Sequence, residues 1–225
     1  MKRSEINQII LDGIKFFDEM KFKLPPFAYW SPSEWKEKNH EYDEIRENKL
    51  GWDITDFGSG NFYKTGLFLF TLRNGGADPQ NQTKSYAEKI MIVRENQVTP
   101  YHFHWKKTED IINRGGGNLM IKLYNSTKDG DFGSDPVMVH MDGRKFEVPA
   151  GTVLCLKPGE SITLMPGQYH SFWGEPGCGQ VLVGEVSECN DDASDNRFYE
   201  KIGRFPDIEE DEPPVYYLCN EYPLA

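Results

Sequence analysis

Seven short apolar or alternating runs, "GLFLFTLRN", "KIMIVREN", "NLMIKLYN", "VMVHM", "GTVLCLKPG", "SITLMPG" and "QVLVGEVSE", follow one another from about residue 54 onward. Gly, Asn, Asp and Pro separate them, which is the punctuation of strands and turns. A repeat of roughly 10 to 14 residues per strand and turn suits a sandwich or small barrel. No helical periods interleave, so a parallel α/β sheet is excluded and the expected class is all-β.

Ahead of this stretch the periodicity is helical. Ile6, Ile9, Ile10, Ile14, Phe17 and Met20 mark one amphipathic face over residues 4 to 20, with Ser4 as the expected N-cap. After Pro25 and Pro26, the residues Ser31, Pro32 and Glu34 form a capping-box signature for a second helix expected to run to about Lys49 and to end at Gly51. The final segment, "RFPDIEEDEPPVYYLCNEYPLA", has little periodicity; it is expected to wrap the same domain through Ile208, Val215, Tyr216 and Leu218, with "IEEDE" as a solvated face. The expected organisation is a helical extension over 1–53, a β-barrel over 54–200 and a wrapping segment over 201–225.

With 225 residues and 38% hydrophobic content, one sizeable core is the default. A formal net charge of -11 repels phosphate backbones and anionic lipid, so nucleic acid and membrane surfaces are excluded as partners. No run reaches the roughly 18 apolar residues needed to span a bilayer, and "MKRSEINQIILDGIKFF" carries acids inside its apolar part, which reads as a helix of a cytoplasmic protein. Cys155, Cys178, Cys189 and Cys219 show no metal-type pairing and read as free thiols, some of them buried.

The chemistry concentrates in "TPYHFHWKKTE", residues 99 to 109. Strand alternation puts His102 and His104 on one face, with Phe103 on the other. Glu109 lies at an odd offset from His104, so "WKKT" must turn for Glu109 to re-enter from the start of the next strand. His170, in "MPGQYHSFW", is the fourth candidate. Three neutral imidazoles and one carboxylate suit an exchangeable divalent ion such as Mn²⁺, Fe²⁺, Co²⁺ or Zn²⁺. His40 and His140 read as surface groups, and Trp105, Tyr169, Phe172 and Trp173 as barrel core or as apolar contacts for a ligand.

The stretch from Asn96 through His102, His104 and Glu109 to Gly116 resembles the first cupin motif, G-x5-H-x-H-x3-4-E-x6-G, with Asn96 in place of its first glycine. The stretch from Gly159 to His170 is similar to the second, G-x5-P-x-G-x2-H-x3-N, with Pro166 next to Gly167 and Gly174 in place of the final Asn. That resemblance implies a cupin-type double-stranded β-barrel, or jelly roll, with the N-terminal helices packed on it. "TPYHFHWKKTEDIINRGGGNL", "PGQYHSFWGE", "VGEVSECNDDASDNRF" and "GRFPDIEEDE" further resemble the longer bacterial, manganese-dependent D-lyxose isomerases of the cupin superfamily, across nearly the whole chain.

The resemblance implies an aldose-ketose isomerase interconverting D-lyxose and D-xylulose, and by extension D-mannose and D-fructose, through an enediolate. It also implies a homodimer. In such a reaction the metal polarises the carbonyl and a base moves a proton between C2 and C1. Lys107 shares the face of Glu109 if the strand has begun; its pKa is expected to fall near the metal so that it can act as base, or else it stays charged and holds the enediolate oxygen. Lys106 points away to solvent. The resemblance implies that Lys89, Lys107 and Asp192 line the sugar site, although "NDDASDN" also reads as an Asx-rich turn. Glu185 is an alternative carboxylate base, or a strand residue facing solvent. Arg204 is a substrate contact or an ion-pair anchor for the tail. Two alternatives to the isomerase stay open on the same ligands: a non-haem iron dioxygenase, and a non-catalytic sugar-binding cupin.

Overall fold

Neighbouring residues of single strands go to opposite layers, and that alternation builds the molecule. In the strand Tyr86–Val93, Ile90 and Ile92 pack under the first helix while Met91 and Val93 enter the space between two sheets. The computed structural model describes residues 1–76, 84–191, 194–203 and 205–225. Its strands are β1 (Gly51–Thr55), β2 (Leu67–Arg73), β3 (Tyr86–Val93), β4 (Thr99–His104), β5 (Glu109–Gly116), β6 (Leu119–Asn125), β7 (Val137–Met141), β8 (Arg144–Val148), β9 (Val153–Leu156), β10 (Ser161–Leu164), β11 (Gln168–Gly174), β12 (Val181–Glu188) and β13 (Asn196–Phe198). The large sheet runs β1-β2-β3-β12-β5-β10-β7-β8 and the small one β13-β4-β11-β6-β9, with every pairing antiparallel. The all-β expectation holds, as a jelly-roll sandwich whose sheets face each other without closing into a ring among the described residues.

Leu69, Val93, Ile111, Leu123, Val139 and Val183 lie in the core between the sheets. The outer face of the large sheet carries Phe68, Phe70, Ile90, Ile92 and Leu182, covered by Ile6, Ile9, Ile10 and Phe17 of α1 (Arg3–Glu19). The helix crosses the sheet at Gly13, where a Cβ would stand 2.3 Å from the Phe68 ring. Any larger residue would lift the helix off its apolar bed.

Ser4 is not the N-cap. Lys2 holds that position without a side-chain bond, and the Ser4 amide and hydroxyl both donate to Asp211. The acids of "IEEDE" therefore do more than face solvent: Glu210 binds Arg3, Asp211 binds Ser4 and Glu212 accepts from Asn7, so carboxylates of the tail cap the positive end of the helix. Leu218 is buried, Ile208 and Tyr216 are partly buried against the same core, and Val215 is exposed, held by its backbone amide bonded to Asn7.

The second helix is shorter than its periodicity predicts. The Ser31–Glu34 capping box forms, but α2 covers only Pro32–Trp35, and a 3₁₀ turn (His40–Tyr42) and α3 (Asp43–Glu47) follow. Asn39 accepts the Glu41 amide and starts the new turn, while Arg46 collects the freed carbonyls of Lys38 and Asn39. Lys49, at φ +51, takes the left-handed position that ends α3, and Leu50 N–H closes onto Ile45 O at 2.9 Å. Gly51 does not end that helix; it already begins β1, which runs across the expected boundary at residue 53.

Candidate metal centre

Odd-numbered residues of β3, β5 and β12 face the small sheet, and at one end of the sandwich this parity delivers charge instead of hydrocarbon. Lys89 stands opposite Glu185, and Glu109 opposite Ser187. From the small sheet, His102 and His104 of β4 face inward, and β11 sets His170 opposite His102. The turn between His104 and Glu109 exposes Trp105 and Lys106 and buries Lys107, so Glu109 re-enters as the first residue of β5.

One donor atom from each of His102, His104, Glu109 and His170 lies within 4.8 Å of all the others. His170 Nε2 is 3.1 Å from His102 Nε2 and 3.1 Å from Glu109 Oε1, and His104 Nε2 is 3.2 Å from Glu109 Oε2. His102 Nδ1 faces the Pro100 carbonyl at 2.9 Å and His170 Nδ1 the Gln168 carbonyl at 3.1 Å. A carbonyl only accepts, so both Nδ1 atoms donate and both Nε2 atoms turn lone pairs inward. Two neutral rings so placed turn their lone pairs toward one point, which suits a bound cation. Both ring nitrogens of His104 are buried with no well-formed hydrogen bond among the described residues. Burial, then the neighbouring His170 and His104, hold the His102 pKa well below the usual histidine range, in the neutral form a metal requires. The donor set fits a borderline or hard divalent ion, for which bonds of roughly 2.0–2.2 Å bring such atoms together.

Beside this cluster runs a ladder of alternating charge. Lys107 Nζ is 2.9 Å from Glu109 Oε2 and 3.1 Å from Glu185 Oε1, and Lys89 Nζ is 3.0 Å from the same Glu185 oxygen. The Asn190 carboxamide oxygen accepts from Lys89 at 2.8 Å and lies 3.5 Å from Lys107 Nζ. Burial alone would lower the Lys107 pKa, but Glu109 and Glu185 outweigh it and raise it, which reverses the fall expected for a neutral lysine base. Burial would likewise raise both carboxyls; Lys107 and His104 hold Glu109 well below the usual range, and Lys107 and Lys89 hold Glu185 below it. Glu185 Oε1 takes bonds from Lys89 and Lys107 and lies 3.3 Å from the Ser187 hydroxyl, which donates to the Glu188 carbonyl at 2.8 Å, whereas Oε2 has no partner among the described residues.

These groups line one cavity of about 50 Å³. Its apolar side includes Phe57, Leu69, Met91, Phe172 and Phe198. The reading of the sequence missed Phe57, Asn190, Asn196 and Phe198. Phe57 adopts a left-handed φ of +53, its amide held by Thr55 Oγ1 at 2.9 Å, and no periodicity announces such a residue. Asn190 sits two positions before Asp192, in the same Asx-rich segment, which is the signal the sequence carries for it.

Asp192 and Arg204 lie outside the described residues. Among the secondary candidates, Tyr169 and Phe172 are buried and Trp105 is 55% exposed. His40 is exposed against Asp43, and His140 is half-buried on β7. No disulfide joins the cysteines among the described residues, and Cys219 is buried. The departures from the cupin motifs have local causes. Asn96 has φ +56, a conformation that Asn tolerates nearly as a glycine does. At Gly174 a Cβ would stand 2.7 Å from the Arg94 carbonyl.

A jelly-roll sandwich that gathers three histidines and one glutamate between its sheets is a cupin. Solved structures agree on the fold: a variant of the L-ribose isomerase of Acinetobacter sp. DL28 in complex with L-ribose superposes with a TM-score of 0.62 at 14% identity, covering 93% of this chain and 98% of that one. The Cellulomonas parahominis L-ribose isomerase without ligand gives 0.60 over the same shares, at 14% identity. The D-lyxose isomerase family model matches residues 1–222, and the chain belongs to that family of sugar ketol-isomerases. It is 53% identical over 224 residues to the D-lyxose/D-mannose isomerase of Serratia proteamaculans, covering 99% of this chain and 98% of that protein. It is 52% identical over 223 residues to the namesake from Escherichia coli O157:H7, with the same coverage. Aldose-ketose isomerisation thus replaces the dioxygenase and non-catalytic alternatives.

Proposed function

We propose that this chain interconverts D-lyxose and D-xylulose, and D-mannose and D-fructose in the same manner, with His102, His104, Glu109 and His170 holding a divalent ion, Mn²⁺ before Co²⁺, Fe²⁺ or Zn²⁺. The observation that carries this reading is Glu185: a buried carboxylate with one oxygen anchored by two lysines and the other left over, in the cavity that the metal candidates line. When bound, the ion supplies Lewis acidity toward the carbonyl and hydroxyl oxygens of the sugar.

Glu185 Oε2 takes the proton from C2 and returns it to C1, so one oxygen serves as base and then as acid. Fixing Oε1 keeps Oε2 in place while it is protonated. Lys107, held as a cation by its two carboxylates, stabilises the oxygen on which enediolate charge develops. Lys89 anchors Glu185 and, with Asp192 and Arg204, binds sugar hydroxyls. Phe57 and Phe198 cover the apolar face of the sugar and exclude water.

Chelation tests this reading. Stripping the protein of metal is expected to abolish D-lyxose turnover and added Mn²⁺ to restore it, with C2 hydrogen exchanging into solvent as it does so. Turnover untouched by a strong chelator rules the reading out. A cytoplasmic setting is supported by the free thiols, and a homodimer by the open edge that β8 leaves on the large sheet. Sedimentation at micromolar concentration tests the latter.

A further inference from the structure

The three histidines of the centre are not held alike. His102 and His170 each face the carbonyl two residues back on their own strand, at 2.9 and 3.1 Å. Among the described residues His104 has no such carbonyl; the group on its outer side is Asp195, whose Oδ2 stands 3.9 Å from Nδ1. Asp195 is 7% exposed and immediately precedes β13, whose pairing of Asn196 with His104 carries it to that ring. Its Oδ1 accepts the Lys106 amide at 2.8 Å, its Oδ2 accepts the Lys107 amide at 3.2 Å, and its own carbonyl accepts the Trp105 amide at 3.1 Å. One residue thus receives three successive N–H groups of the turn that joins two metal candidates.

We propose that Asp195 is a positioning residue of this centre, which aims His104 at the metal and fixes Lys107 against Glu109 and Glu185. The inference rests on the reading of the cluster as a metal site. At 3.9 Å the carboxylate is beyond a hydrogen bond, so it acts on the ring through charge. A negative charge on that side favours the proton on Nδ1 and leaves the Nε2 lone pair for the cluster, the task that backbone carbonyls perform for the other two rings. The amide bonds are its second action: they set where the Lys107 side chain leaves the turn, and so where the ammonium sits between its carboxylates.

The two actions separate in two variants. Asp195→Asn keeps an oxygen for one of the two side-chain bonds to the turn and loses the charge; Asp195→Ala loses both. Mn²⁺ affinity, read by competition with a fluorescent chelator, is expected to fall about 10-fold in Asp195→Asn and about 100-fold in Asp195→Ala, the range for outer partners of metal ligands. Hydrogen exchange at the Lys106 and Lys107 amides is expected to accelerate most in Asp195→Ala, with a further fall in kcat. Mn²⁺ affinity within about twofold of wild type in both variants overturns the proposal, and faster exchange beside it means that Asp195 holds only the turn. Wild-type protein that does not bind Mn²⁺ overturns the metal reading itself, and with it this proposal, in a control that involves neither variant.

Discussion

Arg3 and Lys107 are both buried cations flanked by two carboxylates. Arg3 is clasped by Glu210 and Glu221 from the tail, whose side chains are 56% and 20% exposed. Lys107 lies between Glu109 and Glu185, at 3% and 7%. The guanidinium fork uses both oxygens of both acids: Nε and Nη2 hold Glu210 at 2.8 and 2.7 Å, Nη1 holds Glu221 Oε2 at 3.1 Å, and Nη2 also holds Glu221 Oε1. In the site the ammonium takes one oxygen from each acid and leaves Glu185 Oε2 over. A saturated clasp at the edge of solvent ties an element down. An unsaturated ladder in a cavity keeps a group available for chemistry, at the cost of burying charges that only their neighbours stabilise.

The comparison breaks first at Glu185. Glu185→Gln is expected to lower kcat on D-lyxose by about 10³-fold, within the range for a lost general base, while Mn²⁺ affinity holds, because Glu185 is not among the four donors. A variant near wild-type kcat would show that the spare oxygen is idle. Lys107→Met comes next. It leaves Glu109 without its lysine and Glu185 with Lys89 alone, and breaking a buried pair costs about 3–5 kcal/mol. Calorimetry of the metal-free protein is expected to show a Tm loss of roughly 6 °C or more. Mn²⁺ is expected to shrink that loss by taking over the neutralisation of Glu109, while kcat remains about 100-fold down for want of the cation. An equal Tm loss with and without Mn²⁺ would place Lys107 outside the electrostatics of the centre.

Arg3→Met probes the clasp. Charged hydrogen bonds contribute about 1.5–3 kcal/mol, and the exposure of Glu210 screens part of that here, so a Tm decrease of about 3–6 °C is expected. Mn²⁺ affinity and kcat stay unchanged, since the clasp and the cavity lie on opposite faces of the large sheet. A fall in kcat without a fall in Tm would contradict the division of labour between the two clusters.

What was legible in the sequence follows from how far each signal travels along the chain. Strand alternation and turn residues act over a few positions, so β2, β3, β6, β7, β9, β10 and β12 could be read directly. So could the inward pair His102 and His104 and the return at Glu109, because one short turn joins them. Long-range pairings carried no such mark. That Lys107 stays charged depends on Glu185, 78 residues away, and that Ser4 is not a cap depends on Asp211, 207 residues away. The early end of the second helix is different: Asn39 was in view, but its side-chain bond to Glu41 becomes decisive only once Trp35 is buried and Arg46 has taken the loose carbonyls.

The finest test of the tail region is Tyr222. Its ring stacks on Trp35 at 4.0 Å and its hydroxyl donates to the Leu50 carbonyl at 2.8 Å, pinning the end of the chain to the start of β1. Burial, and then the nearby Cys219 and Glu221, push its pKa well above the ordinary value. As pH rises past about 10, the ordinary tyrosine value, the unfolded chain loses this proton while the folded chain keeps it. Below that pH the contribution of Tyr222 is whole; above it the unfolded state binds fewer protons than the native one, and stability falls until the folded group also ionises. Tyr222→Phe removes both the bond and the slope. At neutral pH it is expected to cost about 1 kcal/mol, a Tm difference of roughly 2–4 °C. That difference is expected to close at about pH 11, where the wild type has lost what the variant never had. Other tyrosines ionise alike in both proteins and cancel. A gap that stays constant from neutral to alkaline pH would mean that the Tyr222 hydroxyl is hydrated in the folded chain, and that the tail is held by the Arg3 clasp and ring stacking alone.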